Sequence, residues 1–408
     1  MSSTLGSWEL LPFLAPLVPV HAALLPPVSG GNAKVLFLAG SQAGIEGGQS
    51  CPDCTAVWDY KNGESFYRPL TPILASTSLP YNFFCAGHTF LPNGNLLVAG
   101  GTLQISPFLG LPDSIIFNTA TLSWETQPSM AHGRWYPTLT LLGDGRVIAF
   151  SGRDENGQGS RIPEIYTSGT GWIAFTNQTN SLSLYPSIFL LDNGQLFSAG
   201  RSNGQPRRII LPTDFETPIQ MPLISGLTEN KSASYSPAVL LPPAQDQKIM
   251  ILGGYQSKTA TARVNIIDFK DSDPTYKVAP SLLYSRGHHQ AVILPDRTVF
   301  VCGGSMIRQS ISKAVYQSEI YDPNTNSWTE VASNSVPRLY HSVALLLPNG
   351  KVLLAGSTPP KKPTELRLEI YSPPYLFQGT RPSIDSAPVE ISRGQTILVA
   401  TQQASTIQ

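Results

Sequence analysis

Short apolar runs separated by polar turns recur along the whole chain. In each repeat an apolar run leads into a tight turn, usually Asn-Gly or Asp-Gly, and a second apolar run follows and ends in glycine. Short apolar segments bounded by such turn residues are typical of β-hairpins. The seven second runs lie at residues 35–40, 96–101, 147–152, 196–200, 249–254, 299–304 and 352–356.

The spacing of these runs indicates one repeating unit. From the second repeat onward, successive repeats lie 49 to 53 residues apart. A period of about 50 with a terminal glycine, often a Gly-Gly pair, is typical of kelch repeats, in which each repeat forms one four-stranded blade. The sequence therefore predicts an all-β, seven-bladed kelch β-propeller. Aromatic pairs such as Phe117 with Trp124 are expected to fill the wedge between neighbouring sheets.

Two regions flank the repeats. The propeller is expected to span residues 1–378, and residues 379–408 are expected to be the first strands of an immunoglobulin-like β-sandwich that is too short to be complete. The stretch 18–25 is predicted to be an early strand that helps to close the ring. The apolar stretch 10–25 contains three prolines and lacks a basic start, so it resembles neither a signal peptide nor a membrane span.

The charge balance limits the partners. Lys and Arg together number 27, as do Asp and Glu, and no basic run is present. Electrostatic binding to nucleic acid or to an anionic membrane is therefore not expected. We expect a monomer with a small-molecule partner.

The four cysteines differ in their surroundings. Cys51 and Cys54 form a lone C-x-x-C without a second pair, which disfavours a zinc site and leaves a local disulfide or two reduced thiols open. Cys302 lies inside an apolar strand and is expected to be a buried small apolar residue. Cys85 lies instead where an inner strand begins.

This strand start carries a similar residue in several repeats. In five of them, the residue nine positions before the turn glycine, or before Arg297 in the sixth repeat, is a cysteine, tyrosine or histidine. The starts of the innermost strands surround one mouth of a propeller channel, so these side chains should converge there. They are Cys85, Tyr136, Tyr185, His288 and His341, and Tyr340 precedes the last of them.

Two interpretations of these residues are open. Tyr185, His288 and His289 could only plug the channel and hydrogen-bond to neighbours. Alternatively the set is functional, because thiol, phenol and imidazole groups suit copper and the first two can carry redox chemistry. His88, three residues into its strand, is interpreted as structural. A glycosidase would need paired carboxylates, and these positions provide none.

At these residues the sequence resembles the copper radical oxidases, the group of galactose oxidase and glyoxal oxidase. The resemblance rests on residues 84–88 (Phe-Cys-Ala-Gly-His), 134–136 (Arg-Trp-Tyr), 338–342 (Arg-Leu-Tyr-His-Ser) and 381–382 (Arg-Pro). It implies that Cys85 forms a thioether with the ring of Tyr136. It also implies that Tyr136, Tyr340 and His341 ligate one copper ion.

The same resemblance implies a reaction. Cys85, Tyr136 and Tyr340 would be the catalytic residues in the oxidation of a primary alcohol or aldehyde, with O2 reduced to hydrogen peroxide. Tyr340 would take the alcohol proton, and a radical on Tyr136 would take the hydrogen atom from carbon. An extracellular location is also implied, although no signal peptide is visible.

Three departures from the family pattern qualify these expectations. The family's second histidine ligand would lie beyond Gln408. The aromatic residue that shields the radical in galactose oxidase is replaced by Arg153 and Asp154, and a sugar-binding arginine corresponds to Pro186. We therefore expect impaired copper binding and turnover, and a substrate other than galactose. The alternative is a non-catalytic kelch propeller that acts as a binding module.

Overall fold

The computed structural model describes residues 2–28, 31–39, 54–178, 181–200, 205–227, 233–360, 363–392 and 394–402. Nearly all regular structure in these residues is β-strand. A single helical turn, Ser2–Leu5, lies near the N-terminus. Three short 3-10 helices lie at Ala244–Asp246, Ile311–Lys313 and Pro374–Phe377.

The described residues form seven antiparallel sheets around a central channel, which confirms the predicted propeller. From the channel outward, blade 1 consists of His21–Leu25, Lys34–Leu38, Thr55–Trp58 and Phe66–Tyr67. Blade 2 consists of Ala86–Phe90, Leu96–Gly100, Ser114–Asn118 and Ser123–Gln127. Blade 3 consists of Thr138–Leu141, Val147–Phe150, Glu164–Thr167 and Gly171–Ala174. Blade 4 consists of Ile188–Leu190, Leu196–Ser198 and Arg207–Ile209. Blade 5 consists of Ala238–Leu240, Lys248–Leu252, Val264–Asp268 and Lys277–Ala279. Blade 6 consists of Gln290–Ile293, Val299–Cys302, Ser318–Asp322 and Ser327–Val331. Two small hairpins, Thr102–Gln104 with Leu109–Gly110 and Tyr255–Gln256 with Thr259–Ala260, lie outside the blades.

Blade 7 joins the two ends of the propeller. Its three inner strands are Ser342–Leu346, Val352–Gly356 and Arg367–Ser372, and its outermost strand is the N-terminal Ser7–Leu14. Ser7 pairs with Ser372, and the Trp8 indole donates a 2.8 Å hydrogen bond to the carbonyl of Ala332. The prediction that 18–25 closes the ring is therefore wrong in position. His21–Leu25 is instead the innermost strand of blade 1, and the strand before it, Ser7–Leu14, fills the outermost place in blade 7.

The apolar cores lie between blades. Each cluster of buried apolar side chains combines residues of two neighbouring sheets, as where Tyr166 of blade 3 packs with Leu97 and Ile116 of blade 2. The aromatic pairs predicted from the repeats lie directly opposite one another on adjacent strands, with Phe117 and Trp124 ring centroids 4.8 Å apart. Burial of these faces between sheets stabilises the ring, since one blade alone would leave both faces in water.

Turn chemistry sets the register of each inner hairpin. In blade 2 the Asn93 side chain accepts a hydrogen bond from the Asn95 amide, and Gly94 adopts a φ of 83°. An Asx turn followed by a left-handed residue reverses the direction of the chain, so the two strands run antiparallel. Arg297 has a φ of 66° in blade 6, so a non-glycine residue occupies this conformation there.

Three buried Arg–Glu pairs tie the channel mouth to the body of blades 3, 6 and 7. The pairs are Arg134–Glu164, Arg286–Glu319 and Arg338–Glu369, at 2.8, 2.9 and 3.0 Å. The arginine of each pair also donates to a carbonyl at the end of the second strand of its own blade. Because a buried charge is expensive to leave alone, each pair is expected to hold its loop firmly.

Replacing Arg338 with methionine should destabilise the fold by about 3 to 5 kcal/mol, because Glu369 would keep a buried charge without its partner. Urea unfolding measures this change. The matched control is Arg146→Met, which breaks the exposed Arg146–Asp144 pair and should cost less than about 1 kcal/mol. Equal losses in the two variants would contradict the role of the buried pair.

The C-terminal segment differs from the propeller. In the described part of 379–402 the only β pairing is one isolated bridge between Ser386 and Ala400, and Val389 and Leu398 are exposed. The predicted first strands of an immunoglobulin-like sandwich stay a prediction. The helices in the described ranges are all too short and too polar to be membrane spans.

Candidate active site

Six blades place a left-handed residue immediately before or close to the innermost strand, at the same mouth of the channel. The left-handed φ angles at these positions lie between 48° and 70°, and the residues are Cys85, Tyr136, Tyr185, Tyr235, His288 and His341. This backbone region is unfavourable for residues with a side chain, so the surrounding structure must impose it. Backbone hydrogen bonds do so by linking one blade to the next, as from the Tyr136 amide to the Cys85 carbonyl (2.9 Å).

The glycine that ends a blade's second strand positions the mouth of the following blade. The Gly101 amide donates to the Arg134 carbonyl at 2.8 Å. At Gly100, a Cβ atom would lie 2.4 Å from the same carbonyl oxygen, so only glycine permits this approach. Gly254 and Gly304 make the same contact with Arg286 and Arg338. The repeated glycine thus fixes the position of the residue two places after each arginine, which is Tyr136, His288 or Tyr340.

These residues surround one cavity of about 380 Å³. All four predicted site residues, Cys85, Tyr136, Tyr340 and His341, contribute to its wall. Tyr136, Tyr340 and His341 are each partly exposed, whereas Cys85 is buried. The described residues that line the cavity include no Asp or Glu, so it is not built for carboxylate chemistry.

Tyr136 lies at the centre of the site. Its hydroxyl is hydrogen-bonded to that of Tyr340, and the Cys85 side chain lies beside it in the cavity wall. Burial raises the pKa of the Tyr136 phenol above its ordinary range, and Cys85 and Tyr340 raise it further. Burial likewise raises the pKa of the Cys85 thiol, against the opposing effect of its contacts with Tyr136 and Trp135. Without an added positive charge the phenol and thiol stay protonated.

His341 supplies the imidazole. Its Nδ1 is 2.6 Å from the Thr358 hydroxyl, while Nε2 is buried without a hydrogen-bond partner among the described residues. Burial lowers the pKa of the ring to about 3, so it is neutral at ordinary pH. A neutral imidazole with one nitrogen oriented by a hydroxyl and the other available is the usual arrangement of a metal-ligating histidine.

The donors suit copper. The hydroxyls of Tyr136 and Tyr340 meet, and the His341 ring packs against that of Tyr340 in the wall of the same cavity. An unpartnered buried nitrogen is satisfied when it binds a metal. No group of three or more His, Cys, Asp or Glu side chains within the described ranges could hold a metal ion. A metal site in this cavity therefore needs the tyrosine oxygens.

An aromatic residue does cover Tyr136, contrary to the expectation from Arg153 and Asp154. The indole of Trp135 stacks on the Tyr136 ring with centroids 3.8 Å apart and planes 14° apart. Tyr185 stacks on Tyr136 as well, at 4.5 Å and 26°. The left-handed turn at Tyr136 brings the preceding side chain over its ring. Arg153 lies over the indole instead, 5.9 Å from its centroid.

Four further histidines also lie at the channel. His21 and His88 contact each other edge to face at 5.5 Å, and burial lowers the pKa of His88 to about 4. The ring centroids of His288 and Tyr340 lie 4.9 Å apart. His289 is buried, and burial is the main cause that lowers its pKa. All four line the cavity. The two interpretations of His288 and His289, plugging and function, stay predictions, as does the structural interpretation of His88.

Tyr235 of blade 5 occupies the same place at the channel mouth, but counting nine residues back from a turn glycine does not find it. Its blade replaces the Asn-Gly turn with a longer one that includes Ala244–Asp246 and ends at left-handed Gln247, with a φ of 54°. A second signal was present, since a proline lies close after the tyrosine in all three blades: directly after it in blades 3 and 4 (Pro137 and Pro186) and two positions after it in blade 5 (Pro237). The Tyr235 ring lies 6.2 Å from that of Tyr340.

The three cysteines outside the site can be compared with their predictions in part. Cys302 is fully buried within its strand, as predicted. Cys54 is disulfide-bonded, which excludes a reduced thiol there. Cys51 lies outside the described residues.

The glyoxal oxidase N-terminus family matches residues 41–375. The chain belongs to this family of copper radical oxidases. Its fold also matches that of a fungal alcohol oxidase of the AA5 family solved in complex with copper, with a TM-score of 0.78, 20% sequence identity, and coverage of 98% of this chain and 85% of that one. At this identity the likeness concerns the fold.

Several named relatives of this family member are oxidases. A galactose oxidase of Gibberella zeae is 26% identical over 435 aligned residues, which cover 96% of this chain and 59% of that protein. An aldehyde oxidase of Arabidopsis thaliana is 26% identical over 456, covering 96% of this chain and 70% of that protein. The chain thus spans about three-fifths of the length of the galactose oxidase that it matches.

Proposed function

We propose that this chain carries the catalytic propeller of a copper radical oxidase that oxidises a primary alcohol or aldehyde and reduces O2 to hydrogen peroxide. One observation carries the proposal: the Cys85 thiol lies against Tyr136, whose hydroxyl meets that of Tyr340 beside His341. A propeller that only binds a partner through its loops has no need of this arrangement. The names of the galactose and aldehyde oxidase relatives support the same reaction class.

The residues take separate roles in this proposal. Tyr136, Tyr340 and His341 would hold the metal, and Thr358 would orient the imidazole through Nδ1. The reaction removes two electrons from the substrate, and bound copper would supply one of the two one-electron redox couples that this requires. Tyr340 would accept the substrate's hydroxyl proton, and Tyr136 would accept a hydrogen atom from the adjacent carbon. Trp135 and Tyr185 would keep water from the faces of the Tyr136 ring.

The thioether between Cys85 and Tyr136 is part of the proposal. Its formation joins Sγ to a ring carbon and removes one hydrogen from each, and O2 accepts the two hydrogens as hydrogen peroxide. A sulfur on the ring makes the phenol easier to oxidise, which suits a residue that must cycle through a radical. The buried, protonated thiol is otherwise unreactive, so the link should form only with the metal present.

The test is copper loading in air followed by peptide mass spectrometry and a coupled peroxide assay with primary alcohols and aldehydes. We expect a linked Cys85–Tyr136 peptide lighter by two hydrogen atoms, and copper-dependent peroxide release. Cys85→Ser should lose the link, whereas the matched control Cys302→Ser, at another buried free cysteine, should keep it. Turnover should be low, since His341 is the one nitrogen donor in the proposed ligand set. Copper loading that yields neither link nor peroxide would favour the binding-module alternative.

A further inference from the structure

An exposed arginine is held at the rim of the active-site cavity. The guanidinium carbon of Arg308 lies 4.7 Å from the centroid of the Tyr235 ring, and its Nη2 donates a 2.7 Å hydrogen bond to the Tyr235 hydroxyl. Tyr235 lines the cavity, and its ring contacts that of Tyr340 edge to face at 6.2 Å. One aromatic ring therefore separates the Arg308 guanidinium from the phenol proposed to bind the substrate oxygen.

The loop that carries Arg308 is tied to the neighbouring blade. The Arg308 amide donates to the Lys258 carbonyl at 2.8 Å, and Ile307 forms a β-bridge with Thr259 of the hairpin beside it. The Ser305 hydroxyl donates to the Ile307 carbonyl at 2.8 Å. Because the loop and the guanidinium are both held in place, little conformational entropy remains to be lost when a ligand binds.

Arg308 has no carboxylate partner among the described residues. It takes part in no ion pair within the described ranges, and the described residues that line the cavity include no Asp or Glu. Only one of its donors is used in the hydrogen bond to Tyr235. A stacked guanidinium with further planar donors and no carboxylate partner is well suited to bind a carboxylate by paired hydrogen bonds.

We propose that Arg308 is a specificity-determining residue that binds the carboxylate of a substrate whose alcohol or aldehyde group lies several carbons away. The intervening Tyr235 ring requires that spacing. This inference rests on the proposed oxidase function. The reaction converts R–CH2OH and O2 into R–CHO and hydrogen peroxide, so the carbon loses two electrons and two protons, and O2 gains them. The carboxylate only anchors the substrate and is unchanged.

The first experiment measures binding without turnover. Metal-free chain is titrated by NMR with 4-hydroxybutanoate and with 1-butanol, which has the same four-carbon chain but no charge. We expect the wild type to bind 4-hydroxybutanoate more tightly, and Arg308→Gln to weaken that binding about 10- to 100-fold, as loss of a charged hydrogen-bonded pair predicts. Binding of 1-butanol should change less than about threefold.

Two matched variants separate geometry from charge. Arg308→Lys keeps the charge but loses the planar fork, so it should recover only part of the affinity. Arg297→Gln makes the same change of charge in the same blade, at the exposed turn at the opposite end of its innermost hairpin, and should leave binding unchanged. Equal effects of Arg308→Gln and Arg297→Gln, or no effect of either, would overturn the proposal.

The second experiment repeats the comparison with copper-loaded chain and peroxide detection. Arg308→Gln should lower kcat/KM for 4-hydroxybutanoate by about 10- to 100-fold and leave that for 1-butanol nearly unchanged. If the binding preference is found but neither alcohol yields peroxide, the proposed oxidation is wrong while the carboxylate site stands. If both alcohols are oxidised with no preference, the oxidase stands and the proposed role of Arg308 is wrong.

Discussion

Replacing Tyr136 with phenylalanine is expected to reduce peroxide production from the low level of the parent chain to the background of a coupled assay. The change removes one atom that serves two purposes in the proposed mechanism. In that mechanism the phenol oxygen would be a ligand of the metal and the site of the radical, and a benzene ring can do neither. The fold should persist, because the substituted ring can keep its stacking between Trp135 and Tyr185.

Tyr185→Phe is the matched control for this prediction. Tyr185 occupies the equivalent left-handed position of the next blade, with a φ of 48°, and its hydroxyl donates to the Ala86 carbonyl rather than to Tyr136. The variant should retain activity within about tenfold, since the ring that covers Tyr136 remains. Similar losses in both variants would point to a general effect on the channel, and full activity in Tyr136→Phe would overturn the proposed mechanism.

Replacing His341 with alanine is expected to weaken copper binding by more than about 100-fold and to remove nitrogen coupling from the electron paramagnetic resonance spectrum of bound Cu(II). His341 provides the imidazole among the three proposed donors, and its buried Nε2 is otherwise without a hydrogen-bond partner in the part of the chain that is described. Thr358→Val, which removes the hydroxyl at Nδ1, should weaken binding about 10- to 100-fold while nitrogen coupling persists.

His289→Ala tests whether any buried histidine at the channel has the same effect. His289 lines the cavity without touching Tyr136 or Tyr340 in a ring contact, so its loss should leave the nitrogen coupling in place. Nitrogen coupling that survives in His341→Ala would contradict the proposed ligand set. It would direct attention to His288, whose ring lies 4.9 Å from that of Tyr340.

Much of this site could be found by counting along the chain. The distance from Cys85 to Gly94 equals that from Tyr136 to Gly145, and His341 stands in the same relation to Gly350. Such counting works because an inner hairpin has a fixed length when its turn is a two-residue Asn-Gly or Asp-Gly. It failed at Tyr235, since blade 5 has a longer turn that shifts the count.

Other features depended on contacts that no local pattern records. Ser7–Leu14 completes blade 7 although more than 350 residues separate it from its partner strand, whereas the more apolar stretch after it was the predicted candidate. Trp135 covers Tyr136 because the left-handed turn at Tyr136 folds the two side chains together. Arg308 reaches Tyr235 because loops of neighbouring blades pair at the channel mouth.

The sequence by itself determined the number of blades and the position of each candidate residue within its blade, because periodicity and turn chemistry are local properties that repeat. Tertiary structure decided how those residues meet. The Tyr136 hydroxyl contacts that of Tyr340, four blades further along the chain, only because the ring closes and brings every strand start to one channel. Closure depends on burying apolar faces between all neighbouring blades at once, which is a property of the whole chain rather than of any segment.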